Sequence, residues 1–449
     1  MLKDKRKQII DYIKANKAFL SNNAQALDIY QGNLLPYVDT ILRDSLSDTY
    51  YQAIKHRILP INILQRYIDK VSTTYSKPPE RSSEDVQGQE FVEFYSAALN
   101  INTSAQQADV YANLFKGYAW EPYVNKHGKP KLREMPFDSF LVMSDSDISP
   151  DEETIFIKFM GLKGDSQDSM LLFVYTDTEF DAFYLNNQEA SQYLVENQGL
   201  NPVGVIPFVY GKRQRNKLLP TIDSDMLAIC KAIPTMITDA AGALLFQCFS
   251  IIFGIDILAE NLKMSPNSFW NLKSDPQSEK TPSIGTIKPE ADTDKALQFI
   301  TSVFIIWLET KGIRVGSIGS VDGGSVASGI SKVIDEMDVY EVKRKSMDWF
   351  RMDEEELWNN KLPKIHNYWI KTGMVQPSLV PGQIPDNKDL MIKVEFDKPE
   401  PMQSRASEIA DIKAEIDLGT MTMDQAVRAL HPDHTDEMVA EVLANRVLV

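Results

Sequence analysis

The sequence predicts an α+β fold in which helices and strands are segregated along the chain. Three observations carry that prediction. Apolar residues recur at helical spacing from Gln8 through the stretch beyond Glu90. Between Leu114 and Leu185 they fall instead into short runs divided by Gly, Asp and Asn. Helical spacing returns at Ile222, so strands follow strands rather than alternating with helices as a parallel sheet requires.

Taken in order, Ile9, Ile10, Ile13, Phe19, Leu20 and Leu27 predict N-terminal helices broken at Gly32 and Pro36. Ile61, Leu64, Ile68 and Val71 then form one stripe, flanked by Tyr67 and Tyr75, running until Pro78 and Pro79 stop it. A polar link, Arg81 to Gly88, precedes a helix from Glu90. The run Leu114 to Val124, the turn Asn125-Lys-His-Gly-Lys-Pro and a second run ending at Pro136 predict a β-hairpin. Ile155–Met160, Met170–Tyr175 and Phe180–Leu185 continue it as an antiparallel meander.

From Ile222 through Cys248 a helix is expected, kinked or restarted at Pro234, where an interior proline costs about 3 kcal/mol. Gly254 to Pro289 has the short runs and prolines of an insertion between two helices. Ala296, Ile300, Val303, Phe304 and Trp307 mark the second helix, which Gly312 ends. A long helix is expected from Ile330 to Pro363, and a strand over Leu390–Phe396. The C-terminal stretch should hold three short helices: Ser404–Leu418, one opened by the capping box Thr422–Gln425, and one capped by Thr435.

Between the second and third of those later helices lies Gly312 to Gly329, a low-bulk stretch with four serines and Arg314 as its only basic side chain. Its composition fits a segment that moves or lies close to something large, and equally a flexible connector.

Composition excludes some functions. The chain has 449 residues, long enough for several domains or one elongated protomer of linked modules. Its net charge of −16, from 63 acidic and 47 basic side chains, argues against a protein that grips nucleic acid by neutralising phosphates. A protein that lets a polyanion slide past remains compatible with it. Cys230 and Cys248, both in an apolar segment, give no disulfide framework and fit a reducing compartment. No signal peptide is expected, because no apolar core follows the charged residues of Met1–Gln8.

Candidate chemistry is sparse, and no catalytic residue, metal site or cofactor is expected. Ser144 to Glu153 is rich in carboxylates but lacks the glycine and terminal Glu of an EF-hand loop, so it reads as a solvated turn. Asp353–Glu356 and Asp335, Glu336 and Asp338 could be pictured as a metal-dependent nuclease site, yet such residues usually form a helix's wet side. The five histidines show no metal-ligand spacing. Ala240–Leu258 is the one stretch from which a membrane-associated pore could be argued, although Gln247, Ser250 and Asp256 interrupt it.

The order of these pieces resembles the portal proteins of tailed bacteriophages over nearly the whole chain. The residues that carry the resemblance are Tyr30-Gln-Gly, the Asn62–Lys70 helix with Tyr75 and Lys77-Pro-Pro, and the Lys116–Glu121 hairpin strand. Met135-Pro-Phe, the Gly204-Val-Ile-Pro-Phe strand with Ser224-Asp225, and Gly323-Gly-Ser-Val-Ala-Ser-Gly-Ile opening a long helix add to it. The resemblance implies an elongated protomer: a wing over 1–221 and 330–401, stem helices over 222–253 and 293–311, a clip over 254–292 and a helical crown over 402–449. The stretch 312–329 becomes a tunnel loop, with Arg314, Ser317, Ser320, Ser325 and Ser328 at or near the bore.

It further implies a ring of roughly twelve copies at one capsid vertex of the virion, made in the host cytoplasm and without enzymatic activity. Double-stranded DNA would pass through the ring during packaging and ejection. Terminase, the major capsid protein and scaffold, and head–tail adaptor or neck proteins would be its partners, with Trp270, Lys273 and Lys280 in the partner-binding clip.

Overall fold

The computed structural model describes residues 2–160, 170–194, 199–247, 251–255, 257–258, 273–274, 283–287, 293–313, 329–385, 388–397, 405–430 and 438–439. Four helices open the chain: α1 (Leu2–Ala15), α2 (Lys17–Tyr30), α3 (Leu35–Ser45) and α4 (Asp48–Ile54). The predicted break at Gly32 is present. Pro36 breaks nothing, since it sits in the first turn of α3, where its missing N–H has no helical partner to lose.

Helix α5 (Ile63–Val71) buries Leu64, Ile68 and Val71, while Asn62 caps it by accepting from the Gln65 amide at 3.1 Å. It is shorter than the sequence stripe implied. Ile61 stays outside and half-exposed, and a separate 3₁₀ turn, Thr74–Ser76, inserts Tyr75 into the core. The polar link at Arg81 is partly structured, as β1 (Glu80–Ser82) and the start of α6 (Val86–Leu99).

Helix α7 (Ile101–Phe115) extends through Leu114 and Phe115, which the apolar run had assigned to the following strand. The hairpin is otherwise where the turn residues put it, with β2 (Gly117–Val124) and β3 (Pro130–Met135) antiparallel around Asn125–Lys129. Then β4 (Phe140–Met143), β5 (Ile155–Met160), β6 (Leu171–Tyr175) and β7 (Phe180–Tyr184) form a four-stranded antiparallel meander in chain order.

The next strand, β8 (Val209–Lys212), completes a three-stranded sheet on β2. It begins after Gly204–Phe208, not within it: Gly204 has φ +76° and Pro207 has no N–H to give a ladder.

Helix α8 (Ser224–Gln247) continues through Pro234 as one element, so no new helix starts there. Met226, Leu227 and Cys230 bury on one core and Ile233 is buried beside them, packing that outweighs the lost hydrogen bond. Short strands β9 (Ile251–Ile255), β10 (Ile257–Leu258), β11 (Lys273–Ser274) and β12 (Ser283–Ile287) follow, pairing β9 with β12 and β10 with β11. The stretch 240–258 is therefore the end of a helix followed by strands, not one continuous span. The segment Ser224–Leu244 is itself long and apolar enough to cross a membrane, but its first half belongs to a core shared with α2, α3 and α5.

After α9 (Thr293–Thr310) comes the long α10 (Gly329–Glu356), and Pro363 does not end it. The chain widens into one π-turn, Leu357–Lys361, and continues as α11 (Leu362–Lys371) with Pro363 in the first turn. Only β13 (Lys393–Glu395) of the predicted Leu390–Phe396 strand pairs, antiparallel to β1.

The C-terminal α12 (Arg405–Asp417) and α13 (Met423–Leu430) match the expectation. The capping box forms, with the Thr422 amide donating to Gln425 Oε1 at 2.9 Å and the Gln425 amide to Thr422 Oγ1 at 3.3 Å. Of the third helix, expected to be capped by Thr435, only Met438 and Val439 are described, and both are helical.

The architecture is α+β. One core lies where α6, α7 and β2 meet α10 and α11, around Trp120, Trp358 and Phe350. A second joins α2–α5 to β4, β5, α8 and α9, and a third packs α1 on the meander. His366 is buried in the first core, accepting from Tyr95 Oη at its Nδ1 (2.6 Å) and donating from Nε2 to the Gly382 carbonyl (3.2 Å). Burial holds its imidazole below its ordinary pKa, so it is a neutral packing residue.

At Gly211 the β8 backbone passes directly against the Tyr118 ring, and a β-carbon would stand 2.6 Å from Asp353 Oδ2. Gly211→Ala should therefore cost about 1–3 kcal/mol. A urea midpoint unchanged from wild type would refute this close approach.

Candidate functional site

The residues the sequence singled out for function fall mostly where the structure describes nothing. Arg314, Ser317, Ser320, Ser325 and Ser328 lie in 314–328, and Trp270 and Lys280 in 259–272 and 275–282. Lys273 is on β11, whose backbone alone is described. What the structure does describe is the base from which the Gly/Ser segment departs: the end of α9 on one side and the anchored half of α10 on the other.

The α9 side is a polar lock. Trp307 is buried in the second core with its indole N–H donating to Asp225 Oδ2 at 3.0 Å. Its ring sits 5.0 Å from that of Tyr67. One helical turn later Lys311 Nζ reaches Asp223 (3.2 Å) and Asp225 (2.8 Å), both at the start of α8. Lys116 Nζ joins from the body at 3.0 Å to Asp223.

Lys116 itself has φ +66°, a left-handed conformation for a side-chain-bearing residue, in the tight passage from α7 to β2. Its carbonyl accepts from the Arg213 amide at 2.9 Å, so the ladder and the ion pair both hold it there.

The ionisations agree with an assembled lock. Burial pushes the Asp223 and Asp225 carboxyls up, but the lysines outweigh it and both end below the ordinary carboxylate range. Burial likewise works against the charged Lys311, yet its two aspartates raise it. Directly past the lock, Gly312 takes φ +72° and Ile313 buries its side chain. The backbone reverses there and is pinned before residue 314.

The α10 side is held by carboxylates that the sequence assigned to a wet helix face. That assignment is corrected for Asp353 and Glu354: both are buried, on the stripe that also carries Phe350, Leu357 and Trp358. Arg81 makes a two-point contact with Glu354, Nε to Oε2 at 2.5 Å and Nη2 to Oε1 at 2.9 Å. Tyr75 Oη (2.7 Å) and Trp358 Nε1 (3.2 Å) also donate to it.

Asp353 accepts from Arg215 Nη2 at 2.7 Å and Tyr118 Oη at 3.0 Å. Two residues just beyond β8's end, Arg213 and Arg215, are thus spent on α10: Arg213 donates to Ser346 Oγ (3.0 Å) and lies over the Trp349 ring, and it also reaches Asp109 of α7 (3.3 Å). The side chains of Asp335, Glu336 and Asp338 lie outside the described residues.

Both buried carboxylates are met by arginine and phenol donors, Asp353 by Arg215 and Tyr118 and Glu354 by Arg81 and Tyr75. Among the described residues no set of three His, Cys, Asp or Glu is placed to hold a metal. The Cys230 thiol is buried and pushed up to about 12, so it is not a nucleophile at neutral pH. The carboxylate-rich turn is a turn: Asp145 pairs with Lys5 and Thr154, and Ser144 Oγ donates to the Ser149 carbonyl at 3.1 Å.

Sequence reasoning missed Arg81, Arg213 and Arg215 as partners of α10. The one local signal was that Glu354 stands four residues from both Phe350 and Trp358, on the apolar stripe itself.

Asp353 yields a pH prediction. Burial raises its carboxyl from 3.8 to about 6, with Arg215 opposing. The folded state thus holds a proton that the unfolded chain has released, so this group's contribution is full below 3.8 and is lost as pH rises through about 6. Asp353→Asn removes the dependence. Wild-type stability relative to the variant should fall by up to about 3 kcal/mol between pH 4 and pH 7 in denaturant titrations. Parallel curves for the two proteins would refute it.

Compared with known proteins, the chain matches no family model and no curated protein.

Proposed function

We propose that this chain is the subunit of a portal ring of a tailed bacteriophage, a conduit for double-stranded DNA and a docking platform for its packaging and tail machinery. The observation that carries the reading is the pinned base of the Gly/Ser segment. An antiparallel helix pair, α8 and α9, brackets an insertion of short strands at one end; at the other, Trp307 and Lys311 clamp it together through Asp223 and Asp225, and Lys116 and Tyr67 tie it to the body. The small-residue segment, with Arg314 and Asp322 as its only charges, begins immediately after that clamp and ends where α10 begins.

Such a plan, on this reading, fixes both ends of the Gly/Ser segment on the subunit. On this reading α8 and α9 are the stem, the strands between them the clip, and the helix–sheet body with α10 and α11 the wing. The helices α12 and α13 belong to the crown. Small hydroxyl-bearing residues then touch a passing duplex without holding it, and the acidic balance keeps phosphates from sticking. Terminase and neck proteins would meet the clip around Trp270, Lys273 and Lys280. Capsid and scaffold proteins would meet the wing.

Particle images of the purified full chain should show rings with a central hole; a monomer at micromolar concentration overturns the reading. Removing Gly316–Gly324 should leave rings intact while packaged or retained DNA falls. Normal DNA content in such particles would remove the segment's assigned role.

A further inference from the structure

We propose that neighbouring copies of this chain join head to tail, the loop between β4 and β5 of one copy seating Ile148 in a lysine-rimmed groove at the far end of the same sheet in the next. The inference rests on the ring assembly above and names the surfaces that build it.

Ile148 is 93% exposed, at the tip of the 144–154 loop. The loop does not present it on a loose tether. Ser144 and Ser146 hydroxyls accept from the Ser146 and Ser149 amides at 3.3 and 3.1 Å, and Thr154 Oγ1 accepts from the Asp145 amide at 2.9 Å. Around the isoleucine the exposed charges are acidic, Asp147 and Glu152. A naked apolar tip on an ordered acidic loop is a knob.

The groove encloses about 740 Å³ between α1, the start of α2 and the meander. Ile10, Leu20, Phe159 and Leu185 supply apolar walls. Its rim carries Lys7, Lys14 and Lys17 against Asp11 and Asp138, an excess of positive charge on a chain of net charge −16. That rim is where an acidic segment of another copy meets attraction instead of repulsion.

Knob and groove cannot meet within one chain. The register sets Met143 opposite Ile155 at the loop end of the sheet, and Met160 opposite Leu171, itself opposite Tyr184, at the groove end. Helix α1 spans the same length, Lys5 pairing with Asp145 near the loop and Lys14 lining the groove. A strand of this length separates them by roughly 17–20 Å. Complementary patches at opposite ends of one rigid sheet make a heterologous contact, which closes into rings or runs on into filaments and does not stop at a two-fold dimer.

Sedimentation velocity on the full chain tests this. Ile148→Asp and, separately, Lys7→Glu with Lys14→Glu should each weaken association roughly tenfold or more, with unchanged circular dichroism. Mixed in equal amounts, the two variants keep one working knob and one working groove per pair and should stop at dimers. Adding Asp147→Lys and Glu152→Lys to the doubly reversed groove should restore assembly. Wild-type rings left intact by all of these variants overturn this interface alone; a monomeric wild-type chain overturns the ring reading, and this interface with it.

Discussion

Two carboxylates buried side by side on α10 set the terms for the rest of the molecule. Burying Asp353 and Glu354 is tolerable only because guanidinium and phenol groups meet them: Arg81 and Tyr75 from the N-terminal third, Arg215 and Tyr118 from the three-stranded sheet. Removing one member of such a pair typically costs about 3–5 kcal/mol, while the intact pair adds little over an apolar substitute. What the arrangement supplies is register. A one-residue slip of α10 would turn both carboxylates by about 100° and strand them and their arginines. The helix therefore has one rotation and one height on the body.

That constraint bears on the proposed conduit. The Gly/Ser segment is strung between α9 and α10, so its two ends are set by those helices. On the α9 side the Asp223–Lys311–Asp225 cluster and the buried Trp307 fix the exit; on the α10 side the arginine-clamped half of the helix fixes the return. The geometry on either side is held by groups that are expensive to separate.

How much of this the sequence showed depended on the range of the interaction. Where it was local, the reading succeeded. The Asn125–Pro130 turn gave the hairpin, Thr422 and Gln425 gave the cap of α13, and the short apolar run Ile155–Met160 gave a strand. Prolines were overrated as breaks. Pro36 and Pro363 sit in first turns where they cost nothing, and Pro234 lies inside a continuous α8 anchored by buried Cys230 and Ile233. The acidic run Asp353–Glu356 looked like a solvated face because the arginines that neutralise it lie about 140 and 270 positions away in the chain. No local pattern reports such a partner. Of the candidate site, the sequence showed the segment between α9 and α10; it gave no sign of the lock that holds it.

One pairing also governs how the chain must come together in time. Strand β1, at Glu80–Ser82, has β13, at Lys393–Glu395, as its sheet partner, and Arg81 between them needs Glu354. A nascent chain emerging from the ribosome carries that bare edge, and an Arg81 met only by Asn102, until α10 and β13 have been made. The first core can close only after residue 395 has emerged, so the α10 clamp doubles as a seal that a product stalled before it never acquires.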